Sequence, residues 1–127
     1  MNYLYFSEGT VDGTGDQACY PASAYLGIDC TSVNSSTVFF ASINGTGEND
    51  AITVTHGTQK HFEFQELMAT LLSGKGRSRN YGTGKTTPTG NKGCPNFIVI
   101  ADEKRGVYAD TGNGAGVTGS VVVTIDS

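Results

Sequence analysis

Residues 59–73, with the sequence QKHFEFQELMATLLS, are the one stretch of this chain whose apolar residues repeat with a helical period. Its large apolar side chains recur at i, i+3, i+4, i+7 and i+8 and therefore share one face: Phe64, Leu67, Met68, Leu71 and Leu72. This spacing predicts a helix over about 59–73, with Thr58 as N-cap and Gly74 just past its end. Burying such a side chain contributes about 1.5–3 kcal/mol, so the helix should pack against a sheet.

Strand patterns flank this helix on both sides. The predicted strands cover 2–6, part of 18–32, 36–43 and 51–56 before the helix, and 96–101, 106–109 and 120–126 after it. Pro21 restricts the strand within 18–32 to an edge or a bulged position, because proline cannot donate a ladder hydrogen bond. This order is not the alternating βαβ pattern of a parallel sheet. It predicts an α+β fold, a mainly antiparallel curled sheet or small barrel of about six to seven strands with one helix packed on it.

Length and composition indicate the organisation of the chain. Its 127 residues are close to the size of one domain. We therefore expect a single domain over 1–127, with a basic Gly/Thr-rich loop at about 74–95. No apolar run approaches the roughly 18 residues of a membrane span, and residues 1–8 lack the basic start and apolar core of a signal peptide. We expect no membrane association.

Acidic and basic side chains are separated along the chain. Residues 1–59 carry six acids and no Lys or Arg, whereas residues 75–93 carry five bases and no acid. The five bases are Lys75, Arg77, Arg79, Lys85 and Lys92. The net charge of −4 argues against a dedicated nucleic-acid-binding protein, yet a local charge of +5 can bind phosphate or an acidic protein surface.

These five bases are the predicted partner-binding residues. In a head-to-tail homo-oligomer, the basic loop of one protomer would meet the acidic half of the next. The alternative is a solvated hairpin tip without a partner.

Two kinds of ligand-binding motif are incomplete. The stretch 82–87, GTGKTT, ends like a nucleotide-binding phosphate loop, but that loop needs glycine where Arg79 stands and a helix where Pro88 follows. The oxygen-rich turns at 12–16 and 110–114 lack the acidic twelfth residue of a calcium loop.

Residues with catalytic or metal-binding chemistry show no spacing typical of a site. His56 is expected at the end of a strand and His61 in the first helical turn, and the three cysteines are expected to be reduced and buried: Cys19, Cys30 and Cys94. The adjacent acids Asp102 and Glu103 are expected to be solvated in a turn. We predict no catalytic, cofactor-binding or metal-binding residue, and hence no enzyme.

Several elements together resemble a known group of proteins. They are the Tyr-Pro-Ala-Ser and Leu-Gly-Ile-Asp elements within 19–32, the Phe-Phe strand, the strand 50–55 with the sequence DAITVT, the short helix, and the late strand 98–103 with the sequence IVIADE. Outside 74–95 the chain resembles small proteins of marine tailed phages, encoded beside structural genes in cyanophages and their relatives. The resemblance implies a viral origin and a virion-related role. Together with the missing signal-peptide pattern, it predicts a location in the virion or the host cytoplasm.

Two functions are therefore expected. The first is a non-enzymatic phage structural or assembly protein that acts as a homo-oligomer and contacts other virion proteins. The alternative is a small ligand- or nucleic-acid-binding regulatory domain that uses the basic loop. In the first case the loop meets protein, and in the second it meets phosphate.

Overall fold

The computed structural model of the chain describes residues 3–9, 16–42, 48–73 and 97–125. These residues form β1 (Tyr3–Ser7), β2 (Gln17–Pro21), a 3₁₀ turn (Ala22–Ala24), β3 (Tyr25–Ser32), β4 (Ser35–Phe40), β5 (Asp50–Thr55), α1 (His61–Leu72), β6 (Phe97–Asp102), β7 (Val107–Tyr108) and β8 (Val121–Thr124). The predicted α+β class, with mainly antiparallel strands and one helix packed on them, is confirmed. The loop predicted at about 74–95 lies outside the described residues.

The described strands form two open four-stranded sheets rather than one. Sheet A has the strand order β2-β1-β6-β7, and sheet B has the order β3-β4-β5-β8. Every pair is antiparallel except β1 with β6, which run parallel. All but the first residue of β6 are buried, as is typical of a strand covered on both faces.

The strand predicted within 18–32 is in fact two strands in different sheets. β2 ends at Pro21, and the 3₁₀ turn then carries the chain to sheet B, where β3 begins. β3 is one of the two outer strands of sheet B, and its register with β4 shifts twice. Such shifts are typical of the bulged or edge strand that Pro21 predicts for this region.

Aromatic side chains join the two sheets through the core. The ring of Tyr20 on β2 stacks on Phe40 of β4, with centroids 4.2 Å apart and planes 4° from parallel. Phe6 on β1 meets the same Phe40 ring edge-on at 5.7 Å. The Tyr20 hydroxyl donates a 2.7 Å hydrogen bond to the Asp50 carboxylate, so this buried polar pair is satisfied. Burial and this hydrogen bond hold the pKa of Tyr20 above its usual range.

Two glutamates, which directly follow β1 and β6, form a second connection between sheet A and sheet B. Ser7 and Asp102 are the last pair in the parallel register, so the residues that follow them, Glu8 and Glu103, lie side by side at the edge of sheet A. Because neighbouring parallel strands end at the same edge, both side chains can reach one element beyond the sheet.

That element is β8, the outer strand of sheet B on the side opposite β3. Glu8 Oε2 accepts the Val123 N–H at 2.7 Å, and Glu103 Oε1 accepts the Val121 N–H at 3.0 Å. Glu103 Oε1 also accepts the Gly9 N–H at 3.1 Å, and a Cβ on Gly9 would lie only 2.9 Å from the Glu103 carboxyl carbon. We refer to Glu8 and Glu103 as the carboxylate clasp.

Helix α1 begins later than predicted, and Thr58 does not cap it. Lys60 precedes the helix and makes no side-chain hydrogen bond to the first turn. The reason lies at Gln59, whose φ of 59° is left-handed and whose N–H donates to the Val33 carbonyl at 2.6 Å. This conformation interrupts the helix between Thr58 and His61, so Thr58 lies two residues before the N-cap position and does not cap the helix.

The apolar face of α1 lies as the periodicity predicts. Leu72, at the end of the helix, is half-buried. The other four large side chains of this face are buried: Phe64, Leu67, Met68 and Leu71. They belong to one core with residues of both sheets. Phe62, on the opposite face, is 73% exposed.

Truncating the two faces of α1 should have very different costs. Leu71→Ala removes a fully buried side chain and should lower the free energy of unfolding by about 2–5 kcal/mol. The control Phe62→Ala removes a larger but exposed side chain and should change it by less than about 0.5 kcal/mol. Urea unfolding measures both, and equal effects would contradict the assignment of the two faces.

Candidate functional site

The five predicted partner-binding residues lie outside the described residues: Lys75, Arg77, Arg79, Lys85 and Lys92. We call residues 75–93 the basic segment and the described residues the body. The body carries ten acidic and three basic side chains, a formal charge of −7 with histidine neutral. The basic segment carries five bases and no acid. The folded body is therefore strongly acidic, and most of the chain's basic side chains lie outside it.

Four acids of the body are buried or half-buried and accept hydrogen bonds inside the fold: Glu8, Asp50, Asp102 and Glu103. The expectation that Asp102 is solvated is wrong, because its side chain is fully buried. Its carboxylate accepts the Arg105 backbone N–H at 3.1 Å and forms a 2.9 Å ion pair with the Arg105 guanidinium. This pairing raises the pKa of Arg105. Glu103 is half-buried, since it is part of the clasp.

Four other acids are exposed on the body: Asp29, Glu48, Glu66 and Asp110. One of these, Asp110, lines a partly open cleft of about 430 Å³, and another, Glu66, is hydrogen-bonded to Asn113 in the loop that forms the cleft. One wall of the cleft is Leu67 of α1, and the rest is formed by residues within 106–117, none of them Lys or Arg. The cleft thus combines small and apolar side chains with a carboxylate.

The shape of the cleft depends on glycines in the left-handed region. Gly106, Gly112, Gly114 and Gly116 line it, and all four have positive φ. A Cβ built on Gly106 or on Gly114 would meet nothing within 4 Å. At these two positions the backbone itself borders open space, so another chain could approach it closely.

Asn113 attaches the wall of the cleft to α1. Its Nδ2 donates to the Glu63 carbonyl at 2.8 Å and to Glu66 Oε1 at 3.1 Å, while its Oδ1 accepts the Ala115 N–H at 3.2 Å. Asp110 Oδ1 accepts the Gly112 N–H at 2.8 Å. The two carboxylates beside the cleft are therefore held in place by hydrogen bonds to the loop.

The structure brings together a second group of chemically active side chains, which sequence analysis did not connect. His56 follows β5 and His61 begins α1, as expected, and their rings lie 4.8 Å apart in an edge-to-face arrangement. His56 Nε2 lies 2.9 Å from Ser36 Oγ on β4. Pairing of β4 with β5 places Ser36 opposite Val54, two residues before His56. Only the strand register could have indicated this contact.

The Ser36 and His56 pair has the geometry of a nucleophile and its base but is closed to solvent. The Gly57 carbonyl accepts a hydrogen bond from His56 Nδ1 at 2.8 Å, so neutral Nε2 accepts the Ser36 hydroxyl. Ser36 is 0% exposed and His56 2% exposed, so a substrate cannot reach either side chain in this conformation. Burial lowers the pKa of His56, opposed by the Gly57 hydrogen bond, and the charge of His61 lowers it further.

Metal ligands do not cluster in the body. Within the described ranges, no group of three or more His, Cys, Asp or Glu side chains is close enough to hold a metal ion. The expectation of buried thiols is wrong for Cys19 and Cys30, which are exposed. Cys19 alternates with the buried Ala18 and Tyr20 and so lies on the other face of β2, and Cys30 lies in the exposed second half of β3. Cys94 lies outside the described residues.

Comparison with known proteins finds no family model, curated protein or solved structure that matches the chain. In the part of the chain that the structure describes, no helix combines the length and hydrophobicity needed to cross a bilayer.

Burial of neutral His56 should make the body less stable in mild acid. The lowered pKa means that the unfolded chain takes up a proton near pH 6.5, where folded His56 does not. Its contribution to stability is present above about pH 6.5 and is lost as the pH falls toward the lower folded pKa. Urea unfolding of the native chain and of His56→Gln at pH 7.5 and pH 5.5 measures this.

The native chain should lose more stability between the two pH values than His56→Gln does. The control variant His61→Gln should lose nearly as much stability between pH 7.5 and pH 5.5 as the native chain, because His56 is still buried in it. Identical losses in the native chain and His56→Gln would show that His56 is not responsible.

Proposed function

We propose that this chain is a non-enzymatic structural or assembly protein that acts as a homo-oligomer, in which the basic segment of one protomer binds the acidic body of the next. The observation that carries the proposal is the separation of charge, −7 on the body against five bases and no acid in residues 75–93. The resemblance to small phage proteins extends the proposal to a role in or beside the virion.

Pairing between copies explains this separation better than pairing within one copy. An exposed ion pair contributes about 0–1 kcal/mol, and ordering a Gly-rich segment has an opposing entropic cost. Between protomers the same pairs recur at every interface, where complementary charge orients the partners and speeds their association. A head-to-tail contact of this kind joins two different surfaces and closes into a ring when the rotation allows.

Sedimentation velocity at micromolar concentration tests the proposal. The native chain should self-associate at about 20 mM salt and dissociate at about 500 mM, because a shorter Debye length screens the pairs. A variant with all five bases changed to Ser should be monomeric in both buffers. The matched control exchanges Lys and Arg at the same five positions, preserves the charge, and should associate like the native chain.

A native chain that stays monomeric at low salt would overturn the proposal. Salt-dependent binding of DNA or RNA by the native chain, lost in the five-Ser variant and without self-association, would support the phosphate-binding alternative instead.

A further inference from the structure

We infer that the cleft between α1 and residues 106–117 is the surface on which the basic segment of a second copy docks. This inference rests on the proposed function and names the position of the contact. The occupant is residues 75–93 of another protomer, whose positive charge is opposite to the charge of Asp110 in the cleft.

Charge is the first reason. Asp110 lines the cleft, and Glu66 is hydrogen-bonded to the Asn113 side chain of the cleft loop. Arg105, next to the lining residue Gly106, forms its ion pair with the buried Asp102. Carboxylates held in position in this way can receive a guanidinium or ammonium group with little further ordering.

Shape is the second reason. At about 430 Å³ the cleft lies within the range of about 300–1,000 Å³ of small-ligand pockets, so it accommodates a short stretch of chain rather than a folded domain. Open space above Gly106 and Gly114 lets a peptide backbone approach the cleft backbone. The basic segment is itself rich in glycine, which adds little steric hindrance to such an approach.

Position is the third reason. Glu66 and Leu67 lie in the middle of α1, and the cleft loop is hydrogen-bonded to the same helix through the Asn113 side chain. The other exposed acids, Asp29 and Glu48, line no part of the cleft. Neutralising them therefore tests the effect of negative charge that lies outside the cleft.

An NMR titration separates docking at the cleft from association elsewhere. The observed species is the ¹⁵N-labelled five-Ser variant, which has the cleft but carries no Lys or Arg in residues 75–93. Adding unlabelled native chain at low salt should shift the labelled amides within 106–117 and the Glu66 amide. Because the labelled chain lacks the bases, such shifts report contact between copies.

Isosteric neutralisation then tests the carboxylates. Asp110→Asn with Glu66→Gln keeps side-chain oxygens to accept the Gly112 and Asn113 hydrogen bonds while removing two charges. Introduced into the labelled chain, this pair should weaken binding about three- to tenfold, as expected for two partly exposed ion pairs. The control, Asp29→Asn with Glu48→Gln, removes the same charge away from the cleft and should leave the affinity within about twofold.

The outcomes distinguish the two proposals. Shifts that concentrate around Asp29 or Glu48, or equal weakening by both pairs of substitutions, would overturn the cleft while self-association stands. A native chain that neither shifts the labelled variant nor sediments as an oligomer would overturn both.

Discussion

The outer edge of β8 is covered by carboxylates instead of a further strand. The Val121 and Val123 N–H groups point away from β5, and Glu103 and Glu8 of sheet A accept them. A buried or half-buried N–H without an acceptor costs about 1–3 kcal/mol, so the clasp satisfies two backbone donors while joining sheet A to sheet B. It also blocks the edge against addition of a foreign strand. The Tyr20–Phe40 stack then holds the two sheets together within the core.

This clasp depends on the one parallel strand pair. If β1 and β6 were antiparallel, the residues after their last positions would lie at opposite ends of sheet A. The parallel register instead places Glu8 and Glu103 side by side, and Gly9 allows the chain to pass close to Glu103. Two of the acids of the body are thereby used within the fold. Others, including Glu66 and Asp110, are left at the surface, where the proposed assembly uses them.

Local patterns predicted the elements of this fold, whereas long-range pairing could not be inferred from them. The face of α1 follows from its spacing, and the alternation of Ile52 and Val54 correctly places both in the core. The parallel pairing joins strands more than ninety residues apart, and no local period encodes a partner so distant. The sequence suggested that Asp102 is solvated, because its burial and its ion pair with Arg105 depend on the path of the turn. The contact of Ser36 with His56 and the cleft beside Asp110 likewise depend on register and packing. The charge separation behind the proposed function is visible in the sequence alone.

Native-state hydrogen exchange of the β8 amides tests the clasp most directly. In the native chain, the Val121 and Val123 amides should exchange slowly although they face away from β5. Glu103→Ala should accelerate exchange at Val121 more than at Val123, and Glu8→Ala should do the reverse, because each carboxylate accepts one of the two. The Val122 amide points toward β5 and serves as an internal control that should change least. Fast exchange at Val121 and Val123 in the native chain, or unchanged protection in both variants, would contradict the claim that these carboxylates join the two sheets.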